Sequence, residues 1–396
     1  MVAAGLTPAP GAGEHRGGWG GAMRRIVVVG ASIAGLTAAE SLRAEGFDGS
    51  LVLLGEEAHR PYSRVPLSKE LHLGGALRDA VLLPEPGDGI ELRTGSRAVG
   101  LDTARRVVAL AGGEEVPYDG LVVATGARAR RLGDEDLVLR TLDDAQKLTG
   151  RLAGARGVVV VGAGFLGMEL ASACRAIGLD VTVVDREPPL ARFLGDWLAG
   201  FTVAAARDRG VVFRLAPEGA VPLGPHALRL GGEVLEADVV VTAVGDLPNT
   251  DWLAGSGLPL DGGLVVDGRC RVAPGIVAAG DVAALRTPDG RTRRTPHWTN
   301  AVDQGRAAAA TLLHGDAAPV RRPAPYFWTE QFGLDVKISG ELPPAGPPEV
   351  LAGSPGDRSA LLRWRHPRGA TAVAVNHRMP VPRLHLLGAH AESGSG

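Results

Sequence analysis

Hydrophobic and polar residues fall into blocks near the start of the chain, and the blocks predict a strand, a turn and a helix. The apolar run Ile26 to Val29 leads into Gly30, and an Ala- and Leu-rich stretch follows as far as Glu45. A second apolar run, Leu51 to Leu54, ends two residues before Glu56. A strand, a glycine turn, a helix and a second strand with an acid at its tip are typical of a βαβ unit that binds a dinucleotide.

Each residue type in this unit has a physical reason to be there if the unit binds a dinucleotide. Gly30 makes the turn, the helix start offers N–H groups and a positive dipole end to a pyrophosphate, and Glu56 can accept from ribose hydroxyls. Ser32 replaces the middle glycine of the motif, which normally lets the phosphate approach the backbone. Because serine is small and can add a hydroxyl donor, we keep the assignment and predict contacts at Gly30, Ser32, Ala34, Gly35 and Glu56.

The same pattern returns between residues 157 and 185. An apolar run precedes Gly162, and a helix reaching about Ile177 leads to another apolar run that ends at Asp185. A carboxylate there repels the 2′-phosphate of NADPH and so favours NADH, although Arg186 beside it leaves NADPH open. This copy has every glycine of the motif, and two such units are much stronger evidence than one. Its predicted contacts are Gly162, Gly164, Phe165, Gly167, Glu169 and Asp185.

Further apolar runs end in glycine along the rest of the chain. They span residues 121–127, 239–246 and 275–281, and the last two end in Gly-Asp. A carboxylate at the carboxyl end of a strand, beside a cofactor crevice, can hold a sugar or ribityl hydroxyl. Additional cofactor contacts are therefore predicted at Gly245, Gly280 and Asp281.

Length and composition set the broad class. The chain has 396 residues, 45% of them hydrophobic and 22% charged, which is typical of a globular protein with two or three domains. A formal net charge of −2 gives no argument for nucleic acid, and no apolar run is long enough to span a bilayer. Residues 1–23 lack the pattern of a secretory signal and are expected to be a disordered tail, with Met23 as an alternative start.

The cysteines limit the redox chemistry that we expect. Cys174 and Cys270 stand far apart in the sequence and form no C-x-x-C pair. Two thiols cannot supply the four ligands of an iron–sulfur or structural zinc site, so we expect no resident metal and two reduced thiols in a cytoplasmic protein. The missing pair argues against a disulphide reductase. An oxidase or peroxidase with a single cysteine would need it in the first nucleotide helix region, where neither thiol lies.

Longer motifs occur in a fixed order along the chain. They are Arg60-Pro61-Tyr62-Ser63-Arg64-Val65-Pro66-Leu67-Ser68-Lys69, Ala124-Thr125-Gly126, the second G-x-G-x-x-G, Gly280-Asp281, and Tyr326-Phe327-Trp328-Thr329-Glu330-Gln331. In order and type they resemble those of the NADH-dependent, FAD-containing ferredoxin reductases of cytochrome P450 and aromatic-ring dioxygenase systems. The resemblance covers roughly residues 24–387, and its first and last motifs are much more specific than the glycine turns.

The resemblance implies an α/β fold of the glutathione-reductase type, with two Rossmann-like dinucleotide-binding domains and a small α+β C-terminal domain. It implies a discontinuous FAD-binding domain over residues 24–128 and 246–322, an NAD-binding domain over 129–245 and a C-terminal domain over 323–396. The proline-rich stretch from Pro319 to Pro325 fits the last boundary.

The resemblance also implies roles in catalysis for three residues. Lys69 is expected beside the flavin ring, where its charge favours the reduced, anionic flavin and where it can pair with Glu169. Glu169 is expected to help place the nicotinamide ring, and Trp328 to lie near the flavin and the nicotinamide. A solvated lysine, an acid favoured by the helix dipole and a tryptophan packed between domains are the simpler alternatives.

Matching positions imply further contacts with FAD. Arg140 is expected at the cofactor phosphates, Asp281 at the ribityl chain and the backbone of Val99 at the adenine. The helix that begins at His297 and Trp298 is expected to point its amino end at the flavin C2 carbonyl, with Trp298 by the pyrimidine edge. A surface arginine, a helix-capping aspartate and a core tryptophan are the structural alternatives.

The implied function is electron transfer from NADH, through FAD, to a [2Fe–2S] ferredoxin that serves a cytochrome P450 or a dioxygenase. In that family NADH gives hydride to flavin N5 and single electrons pass on to the ferredoxin. Two alternatives stay open: an electron-transfer partner of rubredoxin or nitrite reductase, and a redox-responsive binding protein like apoptosis-inducing factor. The candidates for docking an acidic ferredoxin, with a solvated surface as the alternative, are Arg291, Arg293, Arg294, Arg321 and Arg322.

Overall fold

Helices alternate with strands through much of the chain. The structure, a computed structural model, describes residues 23–287, 289–321, 325–367 and 369–388, so the predicted tail up to residue 22 and Arg322 lie outside the described residues. Its α-helices are α1 (Ile33–Ala44), α2 (Leu77–Ala80), α3 (Leu142–Leu152), α4 (Phe165–Ala176), α5 (Ala191–Arg207), α6 (Trp298–His314) and α7 (Val381–Leu387). None of the helices in these ranges combines the length and apolar character needed to cross a bilayer.

The first sheet has the strand order β19-β20-β7-β1-β2-β3. Strand β1 pairs in parallel with β2 on one side and β7 on the other, so the turn after β1 lies at the carboxyl edge of the sheet. Helices α1 and α6 cover one face, and burial on both faces explains why the central strands are almost wholly apolar. The strands are β1 (Arg25–Val29), β2 (Ser50–Leu54), β3 (Ile90–Arg93), β7 (Gly120–Val123), β19 (Arg271–Ala273) and β20 (Ile276–Ala278).

The second sheet repeats this arrangement in the order β12-β11-β10-β16-β9. Strand β10 pairs in parallel with β11 and β16, as β1 does with β2 and β7. Helices α3, α4 and α5 pack on one of its faces. The strands are β9 (Leu137–Val138), β10 (Gly157–Val161), β11 (Asp180–Asp185), β12 (Val212–Leu215) and β16 (Val239–Thr242).

The third sheet is antiparallel, with the order β23-β24-β27-β26-β25. One face is covered by α7, and the other shares a core with α4 and α5 of the second nucleotide fold. Its strands are β23 (Tyr326–Gln331), β24 (Leu334–Ser339), β25 (Glu349–Ser354), β26 (Ser359–His366) and β27 (Gly369–Val375).

Smaller sheets complete the described structure. Strands β8 and β17 pair where the chain passes from the first nucleotide fold to the second and back again. The first sheet therefore takes strands from both sides of the segment that builds the second sheet. The remaining strands are β4 (Ala98–Asp102), β5 (Val107–Leu110), β6 (Glu115–Pro117), β8 (Ala127–Ala129), β13 (Ala220–Pro222), β14 (Ala227–Leu230), β15 (Glu233–Glu236), β17 (Asp246–Pro248), β18 (Leu264–Val266), β21 (Ala283–Arg286) and β22 (Thr292–Arg293).

Candidate functional site

The first glycine turn is packed too closely for a side chain. Gly30 has φ +113°, and a Cβ built on it would lie 2.1 Å from the carbonyl oxygen of Ala124 at the end of β7. A Cβ on Gly35 would lie 1.8 Å from the Gly30 carbonyl oxygen. Strand, turn and helix α1 can therefore meet only because both positions are glycine, and this brings the amino end of α1 to the carboxyl edge of the sheet.

The second turn has the same construction. Gly162 has φ +106°, and a Cβ there would lie 2.3 Å from the carbonyl oxygen of Ala243, which follows β16. A Cβ on Gly167 would lie 1.9 Å from the Gly162 carbonyl oxygen. The two motifs thus use the outer glycines for close packing of backbone against backbone.

Ser32 fits the position of the middle glycine without backbone strain. It precedes α1 with φ −96° and ψ −168°, and Gly164 precedes α4 with φ −76° and ψ −174°. Both are extended conformations that any residue adopts. In the described structure the Ser32 hydroxyl does not cap α1, and the residue lines the adjoining cavity.

The first cavity opens at the carboxyl edge of the first sheet and has a volume of about 1150 Å³. Its described lining does not include Gly35, which packs beneath the turn, or Val99, whose neighbour Ala98 lines it instead. The predicted residues that it brings together are Gly30, Ser32, Ala34, Glu56, Lys69, Arg140, Phe165, Glu169, Gly280, Asp281, Trp298 and Trp328.

The lining fits a flavin dinucleotide. Two of its lining residues, His59 and Trp252, each carry a buried nitrogen, Nδ1 and Nε1, that has no hydrogen-bond partner among the described residues. Glycine at the turn leaves room for a pyrophosphate, and the cations that can balance its charge are Arg60, Arg64, Lys69, Arg97, Arg128, Arg131 and Arg140.

Lys69 and Glu169 form the ion pair that the resemblance implied as possible. The Lys69 Nζ lies 2.7 Å from Glu169 Oε1, and both side chains are mostly buried. Glu169 stands just past the first turn of α4, whereas Lys69 follows the short 3₁₀ helix Val65–Ser68, so the pair joins the two nucleotide folds. The pair lines the first cavity, and so does Trp328 from the third sheet.

Arg140 and Asp281, which both line the first cavity, contact each other. Arg140 Nη2 donates to Asp281 Oδ2 at 2.7 Å, and its Nε donates to the Ala127 carbonyl oxygen at 2.8 Å. On the other side, Arg294 Nη1 donates to the Asp281 carbonyl oxygen at 3.0 Å. Asp281 is therefore held from two directions at the strand end where a ribityl chain was predicted.

Glu57, Tyr62 and Arg64 form a cluster that sequence reasoning missed. The Tyr62 hydroxyl donates to Glu57 Oε2 at 2.5 Å and accepts from Arg64 Nη1 at 2.7 Å. Burial raises the pKa of Tyr62, so this hydroxyl stays protonated and can donate. Arg64 Nη1 also donates to the Arg140 carbonyl oxygen at 3.0 Å. The motif around Tyr62 was visible in the sequence, but these long-range contacts were not.

Glu56 lies at the exposed mouth of the first cavity. It has 64% of its side chain exposed and lies 3.4 Å from Arg97. It stands two residues after β2 and lines the cavity, and its contact with a ribose hydroxyl stays a prediction.

The second cavity lies at the carboxyl edge of the second sheet and has a volume of about 1430 Å³. Its lining includes the predicted Gly162, Gly164, Phe165, Asp185 and Gly245, whereas Gly167 packs beneath the turn. Asp185 Oδ2 accepts from the Ala163 N–H at 2.5 Å, and Oδ1 accepts from the Arg186 N–H at 2.6 Å. This carboxylate therefore also joins the glycine turn to the loop after β11.

The two cavities meet at a cluster of aromatic side chains. Phe165, Phe327 and His297 line both, and the rings of Phe165 and Phe327 lie 4.2 Å apart between centroids. His297 packs on Phe327 with centroids 4.8 Å apart, and burial lowers its pKa, so the imidazole is neutral at pH 7. Trp298 and Trp328 form an edge-to-face pair at the rim of the first cavity, with centroids 6.2 Å apart. A ligand of either cavity can reach this junction.

The proposed docking arginines occupy different environments. Arg291 has 85% of its side chain exposed and pairs with Asp289, and Arg293 is also exposed. Arg294 is only 19% exposed and pairs with Asp246 at 2.5 Å. Arg321 is partly buried and donates to Asn300 Oδ1 at 2.8 Å. Arg294 and Arg321 therefore serve contacts inside the chain.

The cysteines are buried in separate cores. Cys174 packs beside the second sheet and Cys270 beside the first. Burial raises the pKa of the Cys174 thiol to about 12 and that of Cys270 to about 11. Both are free thiols, and neither lines the first or the second cavity. They are therefore poorly placed to act as nucleophiles.

Comparisons with known proteins agree with this geometry. The model of the pyridine nucleotide-disulphide oxidoreductase family matches residues 24–305. Rhodocoxin reductase of Rhodococcus erythropolis is 37% identical over 334 residues, which cover 80% of this chain and 78% of the relative. The ferredoxin–NAD(+) reductase component of the anthranilate 1,2-dioxygenase system of Burkholderia cepacia is 37% identical over 355 residues, covering 83% and 85%. A covalent putidaredoxin reductase–putidaredoxin complex superposes with a TM-score of 0.80 at 28% identity, covering 91% of each chain.

Proposed function

Since this chain belongs to the pyridine nucleotide-disulphide oxidoreductase family, we propose that it is an FAD-dependent enzyme that oxidises NADH and reduces a ferredoxin. The observation that carries the proposal is the junction at Phe165 and Phe327, where the two dinucleotide cavities meet beside the Lys69–Glu169 ion pair. A ligand in each cavity can bring its reacting ring to this junction. The names of the relatives support ferredoxin as the acceptor.

FAD is assigned to the first cavity, where the glycine turn, Ser32 and Arg140 would face its phosphates and Asp281 its ribityl hydroxyls. Bound FAD supplies the chemistry of accepting two electrons together and releasing them singly. The residues of the chain orient the bound cofactor and shield it from solvent. Trp328 and Trp298 cover the rim, and the positive charge of Lys69 stabilises negative charge that develops near it.

NADH is assigned to the second cavity, with Gly162, Gly164 and Gly245 along its wall and Asp185 facing the ribose. Glu169 and Phe165 would then limit where the nicotinamide ring can lie. The balanced reaction oxidises one NADH to NAD⁺, releases one proton and gives one electron to each of two ferredoxin molecules. No residue of the chain needs to change its covalent state, which agrees with the buried thiols.

The type of ferredoxin and the kind of oxygenase that it serves are also proposals. We assign a [2Fe–2S] ferredoxin that serves a cytochrome P450 or a dioxygenase, because one relative is named for a dioxygenase system and a similar solved structure is that of the ferredoxin reductase for the CYP199A2 system. Arg291 and Arg293 are kept as docking candidates because they are exposed, with Arg293 also at the mouth of the second cavity. A cytoplasmic location stays a prediction.

The domain boundaries are proposed as predicted: FAD binding over 24–128 and 246–322, NAD binding over 129–245, and a C-terminal domain from 323. They are supported by the membership of the sheets and by the pairing of β8 with β17 at the crossings.

The decisive test uses the purified holoprotein without oxygen in a stopped-flow instrument. We expect NADH to bleach the flavin absorbance within seconds and NADPH to do so much more slowly. Steady-state reduction of cytochrome c should then require added ferredoxin. A flavin that neither nucleotide bleaches would refute the proposal. Slow reduction to a long-lived charge-transfer complex, unaffected by ferredoxin, would favour a redox-responsive binding protein instead.

A further inference from the structure

The Glu169 carboxylate receives more hydrogen bonds than its ion pair requires. Oε1 accepts from the Thr329 hydroxyl at 2.7 Å as well as from Lys69 Nζ, and Oε2 accepts from the Ser68 hydroxyl at 2.7 Å. The donors come from two places in the fold: Ser68 and Lys69 from the end of the 3₁₀ helix Val65–Ser68 and the residue after it, and Thr329 from β23 of the third sheet. Glu169 itself belongs to α4 of the second fold.

The direction of these bonds is fixed by chemistry. An ionised carboxylate can only accept, so both hydroxyls must donate to it. Thr329 Oγ1 in turn accepts from Gln331 Nε2 at 3.0 Å, which leaves the hydroxyl proton available for Glu169. Ser68 and Thr329 are 3% and 1% exposed, so water does not compete for either hydroxyl.

Two hydroxyl donors, one on each carboxylate oxygen, hold the orientation of the Glu169 carboxylate, which the ion pair with Lys69 does not do by itself. A lysine ammonium is a point charge on a flexible stem, and it tolerates rotation of the carboxylate. Hydroxyls that hold Oε1 and Oε2 from different sides fix the plane of the carboxylate. That plane decides how Glu169 and Lys69 face the first cavity.

We propose that Ser68 and Thr329 are positioning residues that lock the Glu169 carboxylate, and through it Lys69, in the orientation used when NADH reduces the flavin. The inference rests on the proposed function, since it concerns the same site. It adds that the third sheet takes part in the reaction through a buried hydroxyl as well as through Trp328.

The test compares Thr329→Val with Thr329→Ser and with Thr371→Val. Valine keeps the shape of threonine and removes the hydroxyl, and serine restores it. Thr371 is a matched control because it is a fully buried threonine of the same sheet whose hydroxyl donates to the Glu341 carbonyl oxygen, away from Glu169. Each variant is purified with FAD, and stopped-flow traces give the limiting rate of flavin reduction and the apparent Kd for NADH.

We expect Thr329→Val to lower the limiting rate per bound flavin by about tenfold to a hundredfold, the loss expected for a hydrogen bond to a charged group. The apparent Kd should change less than about threefold, because the dinucleotide contacts lie elsewhere. Thr329→Ser should recover most of the rate, and Thr371→Val should keep it.

Ser68→Ala is the second variant, and it guards against a Thr329→Val protein that does not fold. It removes the donor to the opposite oxygen and should also lower the limiting rate. A wild-type rate per bound flavin in either folded variant would overturn the inference while leaving the proposed function intact. A wild-type protein that NADH does not reduce would remove the proposed function itself, so the two failures are distinct.

Discussion

Asp185 illustrates how much one side chain does in the second fold. The sequence predicted a ribose contact, and the carboxylate does line the second cavity. It also accepts from the backbone N–H groups of Ala163, Arg186 and Glu187, which joins the glycine turn to the loop after β11. The position of Asp185 therefore fits two roles, a contact with the nucleotide and a contact that shapes the glycine turn.

Replacement of Asp185 by alanine should raise the KM for NADH by about tenfold or more, because both the ribose acceptor and the loop contacts are lost. FAD content should stay at the wild-type level, since Asp185 does not line the first cavity. Steady-state kinetics with a saturating acceptor, together with the flavin-to-protein absorbance ratio, measure both. An unchanged KM would count against the ribose assignment.

The thiols give a second prediction at this scale. A thiol whose pKa is raised to about 11 is ionised to roughly one part in a thousand at pH 8, and less for Cys174, so neither should react as a thiolate. Incubation of the native protein with iodoacetamide at pH 8 should leave both unmodified by mass spectrometry and should leave NADH oxidation unchanged. Rapid alkylation with loss of activity would point to a cysteine mechanism.

At the scale of elements, the strand–turn–helix units are near copies that serve different ligands. In each, a parallel central strand leads into a glycine with positive φ, and the helix after it packs on the carbonyl of that glycine. They differ at the middle position, where Ser32 and Gly164 share the same extended backbone. A substitution at matched positions can therefore separate the two sites.

Gly30→Ala should destroy FAD binding, because its Cβ would meet the Ala124 carbonyl at 2.1 Å. Gly162→Ala meets the Ala243 carbonyl at 2.3 Å, and it should keep the flavin but slow its reduction by NADH about tenfold to a hundredfold. Flavin content and stopped-flow reduction measure the two effects.

Ser32→Gly is the matched control, and it should change FAD affinity less than about threefold. Loss of flavin in Gly162→Ala, with retention in Gly30→Ala, would show that the two sites have been assigned the wrong way round.

At the scale of the whole molecule, the proposed reaction site is assembled from both nucleotide folds and the third sheet. Lys69 comes from the first nucleotide fold, Glu169 and Phe165 come from α4 beside the second sheet, and Phe327, Trp328 and Thr329 come from β23 of the third sheet. The net charge of −2 gives no overall attraction for an acidic partner. Any steering of a ferredoxin must therefore come from a local patch.

Joint replacement of Arg291 and Arg293 by alanine should lower kcat/KM for ferredoxin about two- to tenfold at low ionic strength, and much less in ~0.5 M salt. Flavin reduction by NADH should not change. Arg229→Ala, an exposed arginine of the small sheet formed by β13, β14 and β15, is the control. Equal loss at low and high salt would indicate that these arginines do not act through charge.

Much of the fold could be predicted because it depends on local patterns. Apolar runs ending in glycine predicted β1, β7, β10 and β16, since a strand buried on both faces must be apolar and a tight turn needs glycine. The two βαβ units follow from the order of apolar runs, glycines and acids, whereas the arrangement of the domains was implied by the resemblance to the ferredoxin reductases. The sequence could not show that Ser32 takes the same extended conformation as Gly164, because the φ and ψ of this residue depend on how the turn packs.

The sequence by itself determined which residues could bind two dinucleotides, because glycine turns, strand ends and acids keep their chemistry wherever they are placed. Only the tertiary structure decided which of them meet. The hydroxyls of Ser68 and Thr329 lie 101 and 160 positions from Glu169 along the chain, so no local pattern could pair them with it. Arg294 was predicted on a docking surface, but folding leaves it only partly exposed and pairs it with Asp246. Contacts between distant segments are set by how the sheets pack, and that packing depends on the whole chain at once.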